Sequence, residues 1–268
     1  MYNLVMRFDK LKDIVIKAGN IIKEGYKKEV DFDKKSASEL VTRYDKEVED
    51  FLISKIKPLY KEYEIIAEES FNSDTIPKKA IFIDPIDGTT NFVHKIPHLG
   101  ISIGIWENEK AKEAIVYNPI LEELYSARAF KGAYLNGVKI KVTSQDRLQE
   151  SLIATGFPYA KHKMGKEYFW VVESFKGLLP KIRDIRRLGA AAIDLCYLAQ
   201  GKVNGFYEIN LKPWDVAAGI LIVQEAGGEI SAIDGGAYNF KNKIIVASNG
   251  KIHKSLLENL GDYNEHEE

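Results

Sequence analysis

A single cysteine, Cys196, stands among 268 residues. It excludes an intramolecular disulfide, and its place in the apolar run AAAIDLCYLA marks a buried structural thiol in a reducing compartment. The five histidines, at 94, 98, 162, 253 and 266, are too scattered for a zinc site. His94 and His98 are expected at solvent or at the edge of the core. No uncharged stretch approaches membrane-spanning length, and the opening MYNLVMRFDK holds no apolar signal core. A cytoplasmic protein with no membrane partner is expected. Excess charge of either sign is missing too: 38 Lys and Arg face 39 Asp and Glu. No global field draws nucleic acid, so direct nucleic-acid binding is not expected. Glutamine appears four times beside plentiful Lys, Glu and Ile, a mix met in thermophiles.

What is present is enough for a sizeable core: 45% hydrophobic and 29% charged residues, with no repeat and no low-complexity linker. Leu11, Ile14, Val15, Ala18, Ile21 and Ile22 follow helical spacing, and KKEVDFDKKSASE after them reads as a mobile loop. A second helix carries Val48, Phe51, Leu52, Ile56 and Leu59 and ends near Pro58, with Asp45 in its first turn. Strands are predicted at 64–67, 80–84, 99–106, 113–117 and 123–127, with turns at Asn118-Pro119 and Asn136-Gly137. Residues 1–143 thus read as two helices on a mostly antiparallel sheet. Residues 144–268 alternate instead: strand 151–155, helix 163–178, strand 183–186, helix 190–200, strand 204–208, helix 216–225 and strand 243–247. The fold class is α+β with an α/β second half. The tail GDYNEHEE reads as frayed.

The stretch IFIDPIDGTTNF, residues 81–92, places Asp84 and Asp87 three positions apart in one acidic turn. Pro85 biases Asp84 toward the extended end of a strand, and Gly88, Thr89 and Thr90 can begin a helix whose free N–H groups suit an anion. Carboxylates beside an anion site repel a phosphate unless cations lie between them. Carboxylate, carbonyl and hydroxyl oxygens suit Mg²⁺. Partners must come from elsewhere. AEES offers Glu68 and Glu69 at the end of the preceding strand, and PWDVAAG offers Asp215. Alone, Asp215 is a helix cap, Glu68 a solvated strand end and Asp45 a first-turn acid.

Together, LVTRYD, AEES, IDPIDGTTNF and PWDVAAGILIVQEAGG, in this order and at these separations, resemble the inositol monophosphatase family of Mg²⁺-dependent, lithium-sensitive phosphatases. The resemblance runs from about Leu11 to Ala247 and implies a layered αβαβα sandwich of the sugar phosphatase type, in a cytoplasmic homodimer. It implies two to three Mg²⁺ ions per site: the first on Glu68, Asp84, the Ile86 carbonyl and Thr89, the second on Asp84, Asp87 and Asp215, and a weaker third on Glu68. Gly88 and Thr89 would bind phosphate, and Asp45 would orient Thr89 and, with Glu68, help to activate water. Asp87, Gly189, Ala190, Ala191 and Glu208 match positions that contact sugar or cyclitol hydroxyls, and Lys34 matches a mobile-loop lysine near the metals. Glu39 and Arg43-Tyr44 depart from the usual residues without removing a ligand. Arg186 and Arg187 read as surface charge for at least one of the two; the alternative is that they bind a second phosphate or a partner subunit, and the segment GFPYAKHKMGKEY is the other place for a second phosphate.

The implied reaction is hydrolysis of myo-inositol monophosphates by a metal-activated water. The alternative is a dual enzyme that also cleaves fructose 1,6-bisphosphate. A nucleotide 3′-phosphatase, or a regulatory protein bound to the transcription machinery, ranks lower.

Overall fold

The computed structural model describes residues 2–35, 40–71 and 75–263. The first half holds α1 (Tyr2–Tyr26), β1 (Phe32–Lys34), β2 (Leu40–Thr42), α2 (Arg43–Ile56), β3 (Glu64–Ala67), β4 (Lys79–Asp87), α3 (Thr89–Val93), β5 (Gly100–Glu107), β6 (Lys110–Asn118), β7 (Glu123–Arg128), β8 (Ala133–Leu135) and β9 (Val138–Ile140). The second holds β10 (Leu152–Thr155), α4 (Lys166–Leu178), β11 (Asp184–Arg186), α5 (Ala191–Gln200), β12 (Gly205–Ile209), α6 (Pro213–Glu225), β13 (Glu229–Ser231), β14 (Ile244–Ser248) and α7 (His253–Leu257). Among the described residues, no helix is long and apolar enough to cross a membrane.

β3 to β9 form one seven-stranded sheet in sequence order, antiparallel except for β3 beside β4. A five-stranded mixed sheet runs β11-β10-β12-β14-β13. Alternation along the strands explains how these sheets stack. Ile81, Ile83, Ile101, Ile103 and Ile115 face α1 and α2, whose Leu11, Val15, Val48 and Leu52 are fully buried. Ala114 and Val116, on the opposite face, pack with α5 and α6. Phe206, Ile245 and Ala247 cover the far side of those same helices. Tyr207, Val246 and Ile244 turn outward to α4 and α7, meeting Trp170, Leu178 and Leu256. The order of layers is therefore αβαβα, as the resemblance implies. Each such aliphatic side chain contributes about 1.5–3 kcal/mol when fully buried.

The middle layer sets the character of α6. Residues 215–223 of this helix are all buried because a sheet lies on either side, so it shows no polar stripe. At Gly104 of β5 a Cβ would lie 2.8 Å from the backbone carbon of Ala217, so α6 approaches the sheet as closely as a glycine permits.

Several sequence expectations need correction. The segment read as a mobile loop carries β1, which pairs antiparallel with β2; residues 36–39, Glu39 among them, lie outside the described residues. α1 begins well before Leu11. The helix expected from 163 begins at Lys166, after a separate 3₁₀ turn at Tyr159–Lys163 that ends in Met164 at φ 47°. β13 and α7 were not foreseen, being short and without a periodic pattern. The end of the tail, 264–268, lies outside the described residues.

Candidate active site

β4 is not a regular strand. Asp84 pairs with Ser102 and Asp87 with Gly100, so two residues, Pro85 and Ile86, stand opposite one residue of β5. This bulge accommodates a proline that supplies no ladder N–H. It also corrects parity. Residues three apart on a regular strand face opposite sides, but the extra residue returns Asp87 to the face of Asp84. That face looks onto α5 and α6, because Ser102 Oγ donates to the Trp214 carbonyl (3.2 Å) and Gly100 packs on Ile193. The chain then turns through Gly88, at φ 90°, a left-handed conformation that L side chains rarely adopt, into α3.

Other elements bring the remaining acids. Glu68 follows β3, whose parallel pairing sets it beside Asp84; its N–H donates to the Ile83 carbonyl at 3.1 Å. Asp215 sits in the first turn of α6, where its Oδ2 accepts from the N–H of Lys212 at 2.7 Å. The cap and the site residue are one and the same: Asp215 also lines the cavity shared by Glu68, Asp84, Ile86, Asp87, Gly88, Thr89, Gly189, Ala190, Ala191 and Glu208. Asp45 stands behind them, fully buried, its Oδ2 accepting from Thr42 N and Oγ1 and its Oδ1 from Thr89 Oγ1 at 2.9 Å. Thr89 Oγ1 also lies 3.1 Å from the Ile86 carbonyl.

The electrostatics of this cavity are those of acids short of counter-charge. Burial raises Asp84 and Asp215 well above the usual aspartate range, reinforced by the charges of Glu68 and Asp87. Burial pushes Asp87 up to about 7, against the hydrogen bond that its Oδ2 accepts from Ala192 N at 2.7 Å. Glu68 is raised for the same reason, with Lys35 opposing. Oδ1 of Asp84 is buried with no hydrogen-bond partner. Among the described residues, no three His, Cys, Asp or Glu side chains are placed so that they could hold a metal ion as they stand. A partnerless buried carboxylate oxygen in a cavity lined by other carboxylates is what a divalent cation would satisfy. The oxygen donor set fits Mg²⁺.

Lys35, not Lys34, reaches this centre: Lys34 is exposed on β1, whereas Lys35 Nζ lies 2.8 Å from Glu68 Oε1 and bonds Glu69 as well. Burial would lower the lysine, and the two carboxylates outweigh it, raising its pKa. Phe157, Tyr159, Lys161 and Arg187 also line the cavity. The charge of Asp215, then burial, raises the Tyr159 hydroxyl. Burial, then the nearby Arg187, lowers Lys161. Arg187 lies 5.2 Å over the Phe157 ring, while Arg186 is exposed and pairs with Asp184 at 2.6 Å. Gly156 was not singled out in the sequence, yet a Cβ there would overlap the Glu208 carboxylate. Burial raises Glu208 strongly. Only its place between a strand and the aromatic Phe157 hinted at it.

His98 is buried rather than at a solvent edge, with Nε2 2.9 Å from Asp194 Oδ1. Cys196 is fully buried, and its thiol is raised by burial, consistent with a structural role.

The model of the inositol monophosphatase family matches residues 7–265. Nus factor SuhB of Escherichia coli K12 is 38% identical over 249 residues, 92% of each chain. The solved inositol monophosphatase from Anabaena (Nostoc) superposes with a TM-score of 0.84 at 32% identity, over 96% of this chain and 95% of that one. The structure of SaIMPase-II bound to inositol monophosphate gives 0.77 at 27%, over 93% and 91%. On sequence and fold alike, the chain belongs to the inositol monophosphatase family.

Proposed function

We propose that the protein is a Mg²⁺-dependent phosphatase that releases phosphate from myo-inositol monophosphates. The observation that carries this reading is the convergence of Glu68, Asp84, Asp87 and Asp215, from three separate segments, on one cavity that leaves Asp84 Oδ1 without a partner. Family membership supports a phosphatase, and a solved relative is described with inositol monophosphate bound.

In this reading Glu68, Asp84, the Ile86 carbonyl and Thr89 hold one ion, Asp84, Asp87 and Asp215 another, and Glu68 helps to hold a third. Bound divalent ions supply Lewis-acid charge to the phosphoryl oxygens and lower the pKa of water. The chain's own residues orient the reaction. Asp45 fixes the Thr89 hydroxyl and, with Glu68, helps to activate the attacking water, whose proton passes to a carboxylate of these two. Gly88 and Thr89 flank the phosphate. Asp87, Glu208 and the Gly189–Ala191 segment meet the hydroxyls of the leaving group. The division at 143/144, a homodimer, a cytoplasmic setting and lithium inhibition belong to the same proposal.

Lys161 and Arg187 favour a second reading, in which a bisphosphate such as fructose 1,6-bisphosphate is also cleaved. Two cations that line the same cavity would meet a distal phosphate. Phosphate release from inositol 1-phosphate, fructose 1,6-bisphosphate and adenosine 3′,5′-bisphosphate, measured side by side with Mg²⁺, separates these readings. Arg187→Ala is expected to raise KM for the fructose ester about tenfold more than for the inositol ester, a lost charge-assisted hydrogen bond being worth about 1.5–3 kcal/mol. Equal effects on both esters would remove the bisphosphate reading. If none of the three is hydrolysed, a non-catalytic role of the kind that the relative's name, Nus factor, suggests takes first place.

A further inference from the structure

We infer that His98, Asp194 and Asn91 are positioning residues for Asp87, acting through the amino end of α5. The inference rests on the metal-site reading above. Asp87 Oδ2 accepts from Ala192 N at 2.7 Å, so the first turn of α5 fixes one carboxylate oxygen and thereby the direction of the other. Something must hold that turn against β4 and α3, because α5 belongs to a distant part of the chain. Two side chains do so. Asp194, in the same turn, meets His98 Nε2 at 2.9 Å. Asn91 Nδ2 donates to the His98 carbonyl at 2.6 Å and to the Leu188 carbonyl at 2.8 Å.

Both flanks of the turn, Leu188 before it and Asp194 within it, are therefore tied to the segment that follows Asp87. All three side chains are buried, Asp194 at 1% exposure. The fit leaves no slack: a Cβ at Gly88 would lie 3.1 Å from both the His98 carbonyl oxygen and Ala190 Cβ. Burying a polar contact of this kind is poor evidence of stabilisation, since apolar residues would serve as well. What it supplies is a fixed direction and length. A shift of about 1 Å in a ligand is enough to spoil a site held to tolerances of about 0.5 Å.

The test is calorimetric titration of the protein with Mn²⁺ and Mg²⁺, at a temperature well below each variant's Tm. Asp194→Ala is expected to weaken metal binding at least tenfold and to lower kcat, with the KM for substrate changed less. Asp194→Asn, which can still accept from His98, is expected to restore affinity to within about threefold of wild type. If Asp194→Ala does not fold, the apolar pair His98→Phe/Asp194→Leu removes the bridge without stranding a charge, and the same loss is expected. A folded variant that lacks the bridge and binds metal as wild type does, with only its Tm lowered, overturns the inference. Absence of metal binding by the wild-type protein overturns it as well, and marks the metal-site reading as the part that failed.

Discussion

Asp215→Asn is expected to cut Mg²⁺-dependent phosphate release by about a thousandfold, the loss of roughly 4 kcal/mol of transition-state stabilisation. The structure sets a second expectation beside the first. An asparagine oxygen can still accept from Lys212 N, so the cap on α6 survives. The substitution also removes one negative charge from a buried group of four carboxylates. The metal-free variant should therefore melt no lower than the metal-free wild type. Loss of turnover with an unchanged or higher Tm identifies a ligand. Near-normal turnover would sink the assignment of Asp215 to a metal, and a collapsed Tm would make it a structural cap.

Metal and pH should act together on stability, with the largest effect on the Tm. Burial raises Asp84, Asp87 and Asp215 above the unfolded value of 3.8, Asp87 to about 7. Between these limits the folded metal-free chain binds more protons than the unfolded chain, so its stability falls as pH rises through the window. His253, which burial lowers from 6.5, works in the opposite sense, as do Glu62, Glu122 and Asp184, exposed acids that hydrogen bonds from Lys79, Lys23 and Arg186 lower. In the proposed site Mg²⁺ would bind the deprotonated acids and reverse the loss. At a hundred times Kd it contributes about 2.7 kcal/mol, which is roughly 5–10 °C in Tm for a chain of this size. Thermal melts from pH 5 to 8, with EDTA or with Mg²⁺, check this. A metal-free Tm that climbs steadily over that range, or Mg²⁺ without effect at pH 8, would contradict the account.

The acids that line the cavity were legible in the sequence because they sit in short, distinctive strings. Asp84 and Asp87 announce themselves through the proline and glycine around them, and Asp215 through the tryptophan and small residues beside it. Even so, the bulge at Pro85 and Ile86 could not be read directly, since it exists only in the register with β5. The lysine near Glu68 was missed by one position. β1 is fully exposed and three residues long, so no alternation marks which side chain turns inward. His98 and Asp194 lie 96 positions apart, and nothing local in either segment names the other. Gly156 matters through the space that it leaves to Glu208, a property of tertiary packing alone.

The helices α5 and α6 lie between both sheets, and this has a consequence for how the protein is made. A ribosome delivers the strings around Glu68 and Asp87 early, and a nascent sheet of β3 to β9 can form while α6 is still to come. Until α5 and α6 arrive, one face of that sheet has no cover and the acids on it have neither Asp215 nor the Ala192 N–H. A cation that needs the full set cannot be held by the growing chain. If the chain holds metal as proposed, loading would follow the docking of α5 and α6, and would act as a lock set on a nearly finished molecule rather than as a seed for its folding.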